Sequence, residues 1–312
     1  MNIVFSSDDK YAKLLGVAIC SIFENKKYDY DICIYVLDRG ICRRNKNRLG
    51  ILEKKYNLKI KYIKIDTSIF KDFRICKHFT QAAYYRIIIP KIFPNLKKIL
   101  YFDCDLVILD DLYELYITDI DNYVFAAVED GYLSKSRNKE LCIPKGEKYF
   151  NTGVLLTNIS KCIEINATET IINFINENPE KLKYVDQDAI NATMWGKFLS
   201  LDNKYNYTSW YKKSQYLEIP TNLIDIKILH YLGRKPWNYF DNDILIQKYF
   251  LYLNKTPWKN YKYINFYREK NRLLFINLVS YFKRIFSLIL PRKIFEKIVK
   301  IKRKSGIKFY KA

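Results

Sequence analysis

The sequence predicts an α/β protein with a mainly parallel, mixed central sheet flanked by helices, followed by a basic helical tail. Three observations carry that expectation. A strand, polar turn, helix rhythm repeats through the N-terminal part, an apolar segment at residues 98–109 encloses two aspartates, and the composition changes abruptly near Trp258.

Residues 2–6 form a short apolar run that reads as a buried first strand. The turn Ser7-Asp8-Asp9-Lys10 follows, and then a helical pattern through Tyr11, Leu14, Leu15, Ala18, Ile19 and Ile22. Residues 31–37 give a second strand, residues 43–56 a charged helix with Leu49, Leu52 and Tyr56 on one side, and residues 59–65 a third strand. Successive βα units of this kind favour parallel pairing with helices on both faces, because a crossover must pack back onto the sheet. Asp8 and Asp9 fall at the carboxyl end of the first strand, where such sheets bind ligands, so they either accept from a base or ribose or cap the helix. No Gly-x-Gly-x-x-Gly and no Walker-type lysine loop follows that strand, which disfavours the usual dinucleotide fold and a P-loop.

Residues 78–86 read as a helix with Thr80 as N-cap candidate, ending at Arg86. Arg86 is either functional or a solvated arginine at the core edge. Residues 98–109 read as one buried strand, in which alternation turns Asp103 and Asp105 to one face and Cys104 to the other. Two like charges among apolar residues cost free energy unless a cation or donors meet them, which points to a divalent metal. The alternative is a strand that stops at Phe102, with the aspartates capping a loop.

Further on, a short helical piece at residues 111–115 precedes a strand at 123–128 that runs into Glu129-Asp130-Gly131. Residues 148–156 form another strand, carrying Asn151 and Gly153 where a backbone can approach a ligand closely. Residues 163–178 are helical up to Pro179, and a further helix opens with Asp186, Gln187 and Asp188 in its first turn. Acids there suit the helix dipole without any function. Residues 226–231 deliver His230 from a strand into Gly233-Arg234-Lys235. With only two histidines in the chain, His230 is a candidate third metal ligand and Lys235 a candidate phosphate partner.

Composition narrows the class. Of the 312 residues 49% are hydrophobic, with 28 Tyr and 19 Phe, which excludes a disordered chain. Seven cysteines without a Cys-x-x-Cys pair argue against a zinc site or a disulfide framework and fit a reducing cytosol. The first residues lack a charged n-region and meet acids at Asp8, so no signal peptide is expected. The net charge of +21 is uneven: residues 255–312 hold 17 Lys and Arg against two acids.

In order and spacing, Ile3-Val4-Phe5 through Asp8-Asp9, His78, Arg86, Leu100-Tyr101-Phe102-Asp103-Cys104-Asp105, Phe150-Asn151-Thr152-Gly153-Val154-Leu155-Leu156, Asp186-Gln187-Asp188 and His230-Tyr231-x-Gly233…Lys235-Pro236-Trp237 resemble glycosyltransferase family 8. The closest likeness is to its bacterial lipooligosaccharide and lipopolysaccharide galactosyl- or glucosyltransferase branch. The resemblance implies a GT-A fold and transfer of galactose or glucose from a UDP-sugar to a saccharide or lipid-linked glycan acceptor, with retention of configuration. It implies Mn²⁺, with Mg²⁺ as the alternative, on Asp103, Asp105 and His230. The nucleotide-sugar site would comprise Asp8, Asp9, His78, Arg86, Cys104, Asn151, Gly153, Gly233 and Lys235. Gln187, Asp186, Asp188 and Asp130 would form the catalytic group, with Gln187 beneath the anomeric carbon. An amide is a poor nucleophile, which favours front-side attack by the acceptor hydroxyl; Asp188 is the carboxylate that double displacement would use. The loop Gly233-Arg234-Lys235 is one residue shorter than the family's Gly-x-x-Lys, so Arg234 is an alternative phosphate donor. The alternatives are a glycogenin-like or stress-related glucosyltransferase of the same family and a non-catalytic nucleotide-sugar-binding relative. A specific nucleic-acid binder is disfavoured, since the basic residues avoid the α/β body and no recognition module is present.

Residues 1–258 are accordingly expected to form the transferase domain and residues 259–312 a separate tail. In the tail, the apolar stretch 273–282 is interrupted by Lys283-Arg284, and Pro291 follows, which argues against a spanning helix. Ile294, Phe295, Ile298 and Val299 then form an apolar face flanked by lysines and Arg303, as in a helix lying on an anionic membrane surface. A cytoplasmic protein associated peripherally with the inner membrane is expected; the alternative is a helical hairpin packed on the body.

Overall fold

The computed structural model describes residues 1–71, 73, 81–208, 225–233, 235–237, 244–261 and 281. The chain divides into one unit of Met1–Lys235 with Asn242–Tyr261 and another of Pro236–Asp241 with Lys262–Ala312. Nearly all of the second unit, and with it the expected membrane-binding tail, lies outside the described residues, as do His78, Thr80 and Arg234. The fold described below is that of the first unit. Among the described residues no helix is long and apolar enough to cross a membrane.

The N-terminal rhythm folds as the sequence predicts. β1 (Asn2–Ser7), α1 (Ala12–Glu24), β2 (Cys33–Asp38), α2 (Arg43–Tyr56) and β3 (Ile60–Lys64) form successive βαβ crossovers in which β2 pairs in parallel with both β1 and β3. Ile3, Val4 and Phe5 are fully buried, as expected of a parallel strand covered on both faces. α1 buries Leu14, Leu15, Val17, Ala18 and Ile19, and Gly16 is required there because any Cβ would run into the Trp258 ring. α2 ends on Asn57 in the left-handed conformation (φ 49°), where an asparagine is tolerated.

The segment expected to be a single strand is two. β4 (Lys98–Phe102) stops at Phe102, Asp103-Cys104-Asp105 make a bend, and β5 (Leu106–Ile108) belongs to a different sheet. The alternation that was to align the aspartates therefore does not operate; they converge through the bend. The stretch around Arg86 is likewise not an α-helix but a 3-10 helix, Gln81–Ile88, running into the short α3 (Ile89–Ile92).

Among the described residues the main sheet has seven strands in the order β3-β2-β1-β4, then β7 (Val154–Asn158), β6 (Phe125–Val128) and β8 (Phe198–Leu201). β4 is parallel to β1, β7 is antiparallel to β4 and β6, and β8 is parallel to β6. A second sheet holds β5, β10 (Ile228–His230) and β9 (Tyr207–Thr208). The flanking helices are α4 (Tyr113–Ile117), α5 (Gly131–Glu140), α6 (Ile159–Glu164), α7 (Ala167–Glu177), α8 (Val185–Met194) and α9 (Ile244–Leu253). The helical run predicted at residues 163–178 is broken by Asn166, which adopts φ 53° between α6 and α7.

Candidate active site

Strand order locates the site. From β1 the chain moves outward through β2 to β3, then returns to β4 on the other side of β1. Two neighbouring strands whose connections leave in opposite directions open a crevice beyond their carboxyl ends. Asp8 lies at one lip of that crevice and Asp103 at the other.

Strand register explains how His230 reaches residues 125 positions away. β10 pairs antiparallel with β5 so that His230 faces Leu106, and the Tyr231 N–H donates to the Asp105 carbonyl at 3.0 Å. His230 Nε2 then lies 3.2 Å from Asp105 Oδ1 and 3.9 Å from Asp103 Oδ2. The three potential ligand atoms fall within 4.8 Å of one another. Two hard carboxylates and one imidazole form a donor set suited to a divalent cation such as Mn²⁺ or Mg²⁺. Burial alone would raise the Asp105 carboxyl; chiefly the Lys235 ammonium outweighs it and holds that group well below the usual carboxylate range. Lys235 Nζ contacts Asp105 and donates to the Tyr231 carbonyl at 2.6 Å, a return made through Gly233 at φ 67°.

Gly153 closes this cluster from the β7 side. Its carbonyl accepts from the Asp103 N–H at 2.8 Å, one step beyond the Phe102–Val154 pair. A Cβ on Gly153 would stand 2.8 Å from Asp103 Oδ2 and nearer still to the His230 ring, so only glycine fits. Cys104 faces away, as predicted, with Sγ donating to the Ser6 carbonyl at 3.2 Å. Burial pushes its thiol well up.

Arg86 sits behind the cluster, only 8% exposed. Nη2 donates to Asp103 Oδ1 at 2.8 Å, and Nη1 donates to the Thr152 carbonyl at 2.5 Å and to Thr152 Oγ1 at 3.1 Å. The guanidinium lies 4.5 Å over the Tyr101 ring, whose hydroxyl also donates to Asp103 Oδ1 at 3.0 Å. One oxygen of Asp103 is thus held from behind and the other is left toward His230. Arg86 Nε is 2.8 Å from Asp186 Oδ2, yet that N–H is directed at the Ala83 carbonyl (3.2 Å), so the buried carboxylate oxygen has an ion-pair neighbour without an aligned hydrogen bond. Burial, only partly offset by Arg86, pushes Asp186 up to about 7.

The start of α8 supplies a polar wall. Gln187 Oε1 accepts from the Thr152 N–H and its Nε2 donates to Tyr149 Oη, each at 3.2 Å. Asp188 is fully buried and accepts from Arg137 Nε (2.9 Å), Arg137 Nη2 (2.7 Å), Tyr149 Oη (2.6 Å) and the N–H groups of Lys183 and Tyr184 (2.7 Å each). This tight entry holds Val185 at φ 40°, an unusual conformation for a β-branched residue. Asp130 caps α5, accepting from the Leu133 N–H at 3.2 Å. Its carboxyl is raised by burial, with the Asn151 and Gln187 amides working the other way. Asn151 Oδ1 accepts from the Gly153 N–H at 3.0 Å.

At the other lip, Asp8 accepts from the Tyr11 N–H at 3.0 Å, and Asp9 accepts from the Cys42 N–H (2.9 Å) and Asn45 Nδ2 (2.8 Å) at the start of α2. Asp8 thus binds the backbone at the entry to α1, while Asp9 reaches across to the residues that open α2. Tyr11 departs from its expected place on the helix's apolar face: it precedes α1 and is 38% exposed. Shielding of the hydroxyl end of its side chain, with Asp105, Asp103 and Asp8 adding to it, raises its hydroxyl. Tyr11, Arg137, Tyr149 and Asn206 are site residues that the sequence did not single out. Tyr11 alone carried a usable signal, as an aromatic directly after the Asp8-Asp9 turn.

A family model described as glycosyl transferase family 8 matches residues 2–241. The chain is 34% identical over 273 residues to general stress protein A of Bacillus subtilis (strain 168), across 83% of this chain and 94% of that protein. It is 25% identical over 279 residues to lipopolysaccharide 1,2-glucosyltransferase of Escherichia coli (strain K12), across 83% and 79% respectively. Its fold matches the crystal structure of galactosyltransferase LgtC in complex with donor and acceptor sugar analogs, with a TM-score of 0.72 at 24% identity over 82% of this chain and 96% of that one.

Proposed function

This chain belongs to glycosyl transferase family 8, and from that premise we propose that it moves a hexose, galactose or glucose, from a UDP-sugar to a saccharide acceptor with retention at the anomeric carbon. The observation that carries the reading is the convergence of Asp103, Asp105 and His230 at the β1/β4 crevice. A divalent metal, Mn²⁺ or alternatively Mg²⁺, held by these three residues would supply charge neutralisation for the diphosphate that leaves with uridine.

The remaining roles follow from the chain's own residues. Tyr11 offers an exposed ring on which a uracil base can stack, with Asp8 beside it for the base or ribose. Lys235, now on Asp105, is within reach of a diphosphate bound at the same carboxylates. Arg86 fixes Asp103 and lies against the buried Asp186, so that acid supports the donor-sugar side of the site from behind, through Arg86. Gln187, gripped between Thr152 and Tyr149, presents a preorganised amide dipole. Asp188 accepts from five protein donors and is sealed from the crevice, which counts against a covalent intermediate on it and supports front-side attack by the acceptor hydroxyl. Asp188 then serves to position α8.

We further read residues 259–312 as a segment that associates with anionic membrane surfaces, on the strength of its charge and its apolar stretches. Vesicles rich in anionic lipid should retain the full chain and lose a form truncated after Lys270; equal retention of both refutes this assignment. For the catalytic reading, a panel of UDP-sugars with Mn²⁺ should release UDP fastest with one hexose donor, and proton NMR of the product should show the donor's anomeric configuration. Gln187→Ala should retain part of the rate without trapping sugar on the protein; a glycosyl adduct on Asp188, or inversion, would overturn the mechanism.

A further inference from the structure

We propose that Asn206 is a positioning residue that holds the His230 imidazole as its Nδ1–H tautomer, leaving Nε2 bare toward Asp103 and Asp105. The inference rests on the reading of those three residues as a divalent-metal site and adds to it a residue outside the ligand set.

The reasoning starts from a donor that cannot be misassigned. The Gly153 backbone N–H lies 3.0 Å from Asn151 Oδ1, so that end of the Asn151 amide is the carbonyl oxygen. The same oxygen is 2.8 Å from the Asn206 amide, and the facing group of Asn206 must therefore be its NH₂. The Asn206 carbonyl oxygen is then the atom 3.0 Å from His230 Nδ1, and an oxygen without hydrogen obliges Nδ1 to donate. A neutral imidazole with its proton on Nδ1 has a lone pair on Nε2. In the neutral imidazole that nitrogen faces two carboxylate oxygens, at 3.2 Å and 3.9 Å, a set of acceptors that a cation between them would satisfy.

Burial makes the relay binding. Asn206, His230 and Asn151 are 0%, 1% and 4% exposed, so water cannot replace any one of the three contacts. Asn206 is brought there by a short 3-10 helix, Asn203–Asn206, that Asp202 caps, and by the parallel pairing of β9 with β10 that sets Thr208 beside His230. On the far side the Asn151 amide adjoins Asp130, which reinforces the orientation of Asn151.

Long-range proton–nitrogen NMR on metal-free, ¹⁵N-labelled protein tests the tautomer directly. The chain has two histidines, so a His78→Gln protein assigns the spectrum. The expected result is a pyrrole-type Nδ1 and a pyridine-type Nε2 for His230, shifting toward the Nε2–H form in Asn206→Leu. Mn²⁺ affinity, read by electron paramagnetic resonance, should fall about 10- to 100-fold in Asn206→Leu, the usual loss when a ligand's outer partner is removed. Asn206→Asp, whose carboxylate also accepts from Nδ1–H, should keep Nδ1 protonated, although its other oxygen meets Asn151 Oδ1 without a hydrogen between them. An Nε2–H tautomer in the wild-type protein, or Mn²⁺ affinity unchanged in Asn206→Leu, overturns the role of Asn206. The predicted tautomer without any Mn²⁺ binding by wild-type protein overturns instead the metal reading on which that role depends. Should Asn206→Leu fail to fold, the wild-type and Asn206→Asp spectra still decide.

Discussion

Asp186→Asn should make the protein's stability less sensitive to pH. Asp186 is 2% exposed, and its carboxyl is pushed from 3.8 in a model carboxylate up to about 7 in the folded protein. The sign follows from which state holds the proton. Between those two values the folded protein retains a proton that the unfolded chain has released, so stability falls as pH rises and levels off above about 7. Each unit of separation corresponds to about 1.4 kcal/mol, and the part of the window lying between pH 5 and pH 8 amounts to roughly 3 kcal/mol. The carboxamide does not titrate. The stability of wild type minus that of Asp186→Asn should therefore drop by roughly 3 kcal/mol from pH 5 to pH 8. Urea unfolding at intervals across that range, with chelator present to keep cations off Asp103, measures the difference. Taking the difference between two proteins cancels the titration of groups that do not interact with Asp186. A difference that is flat, or that grows with pH, would mean that the 2.8 Å approach of Arg86 is enough to keep Asp186 ionised, and would refute the reasoning.

Three other perturbations discriminate among the assigned roles. Arg137→Leu leaves Asp188 buried without its counter-charge and should cost about 3–5 kcal/mol in denaturant unfolding, a loss that an exposed pair would not produce. Gly153→Ala drives a methyl group into His230 and Asp103; it should destabilise by roughly 1–3 kcal/mol and weaken Mn²⁺ binding measured by calorimetry. Lys235→Met removes a cation from Asp105, so Mn²⁺ affinity should not fall, whereas kcat/KM for the sugar nucleotide should drop about 10- to 100-fold for one lost charge-assisted phosphate contact. Steady-state kinetics beside metal titration of the same sample separates the two effects.

The parts of the protein that follow from short-range physics were legible in the sequence. A βα rhythm with apolar strand centres and polar turns dictates a parallel sheet whatever the rest of the chain does, and β1 through β3 lie within two residues of the runs that predicted them. The residues of the candidate metal cluster were legible too, because two carboxylates in an apolar segment and one of only two histidines at a strand end are chemically conspicuous. The means of bringing them together was misread. Alternation along a single strand was expected, whereas the chain bends after Phe102 and the register of β5 with β10 sets His230 beside Asp105. Pairing between strands so far apart depends on which sheet edge is open, and no local pattern reports that.

What the tertiary structure alone decided is the second layer of the site. Arg86 looks in sequence like any arginine at the end of a helical stretch, and becomes the anchor of Asp103 only because the 3-10 helix carrying it packs against β1 and α8. Asp188 reads as a candidate nucleophile until Arg137 and Tyr149 are seen to enclose it. Asn206 carries no sequence signal at all, since an asparagine in a polar turn ordinarily serves the turn, and its meaning here comes from facing Nδ1 of a histidine with no water between them. A ligand set is written in residue type, which a sequence displays. The hydrogen bonds that orient the ligands depend on direction and burial, which exist only once the chain has closed on itself.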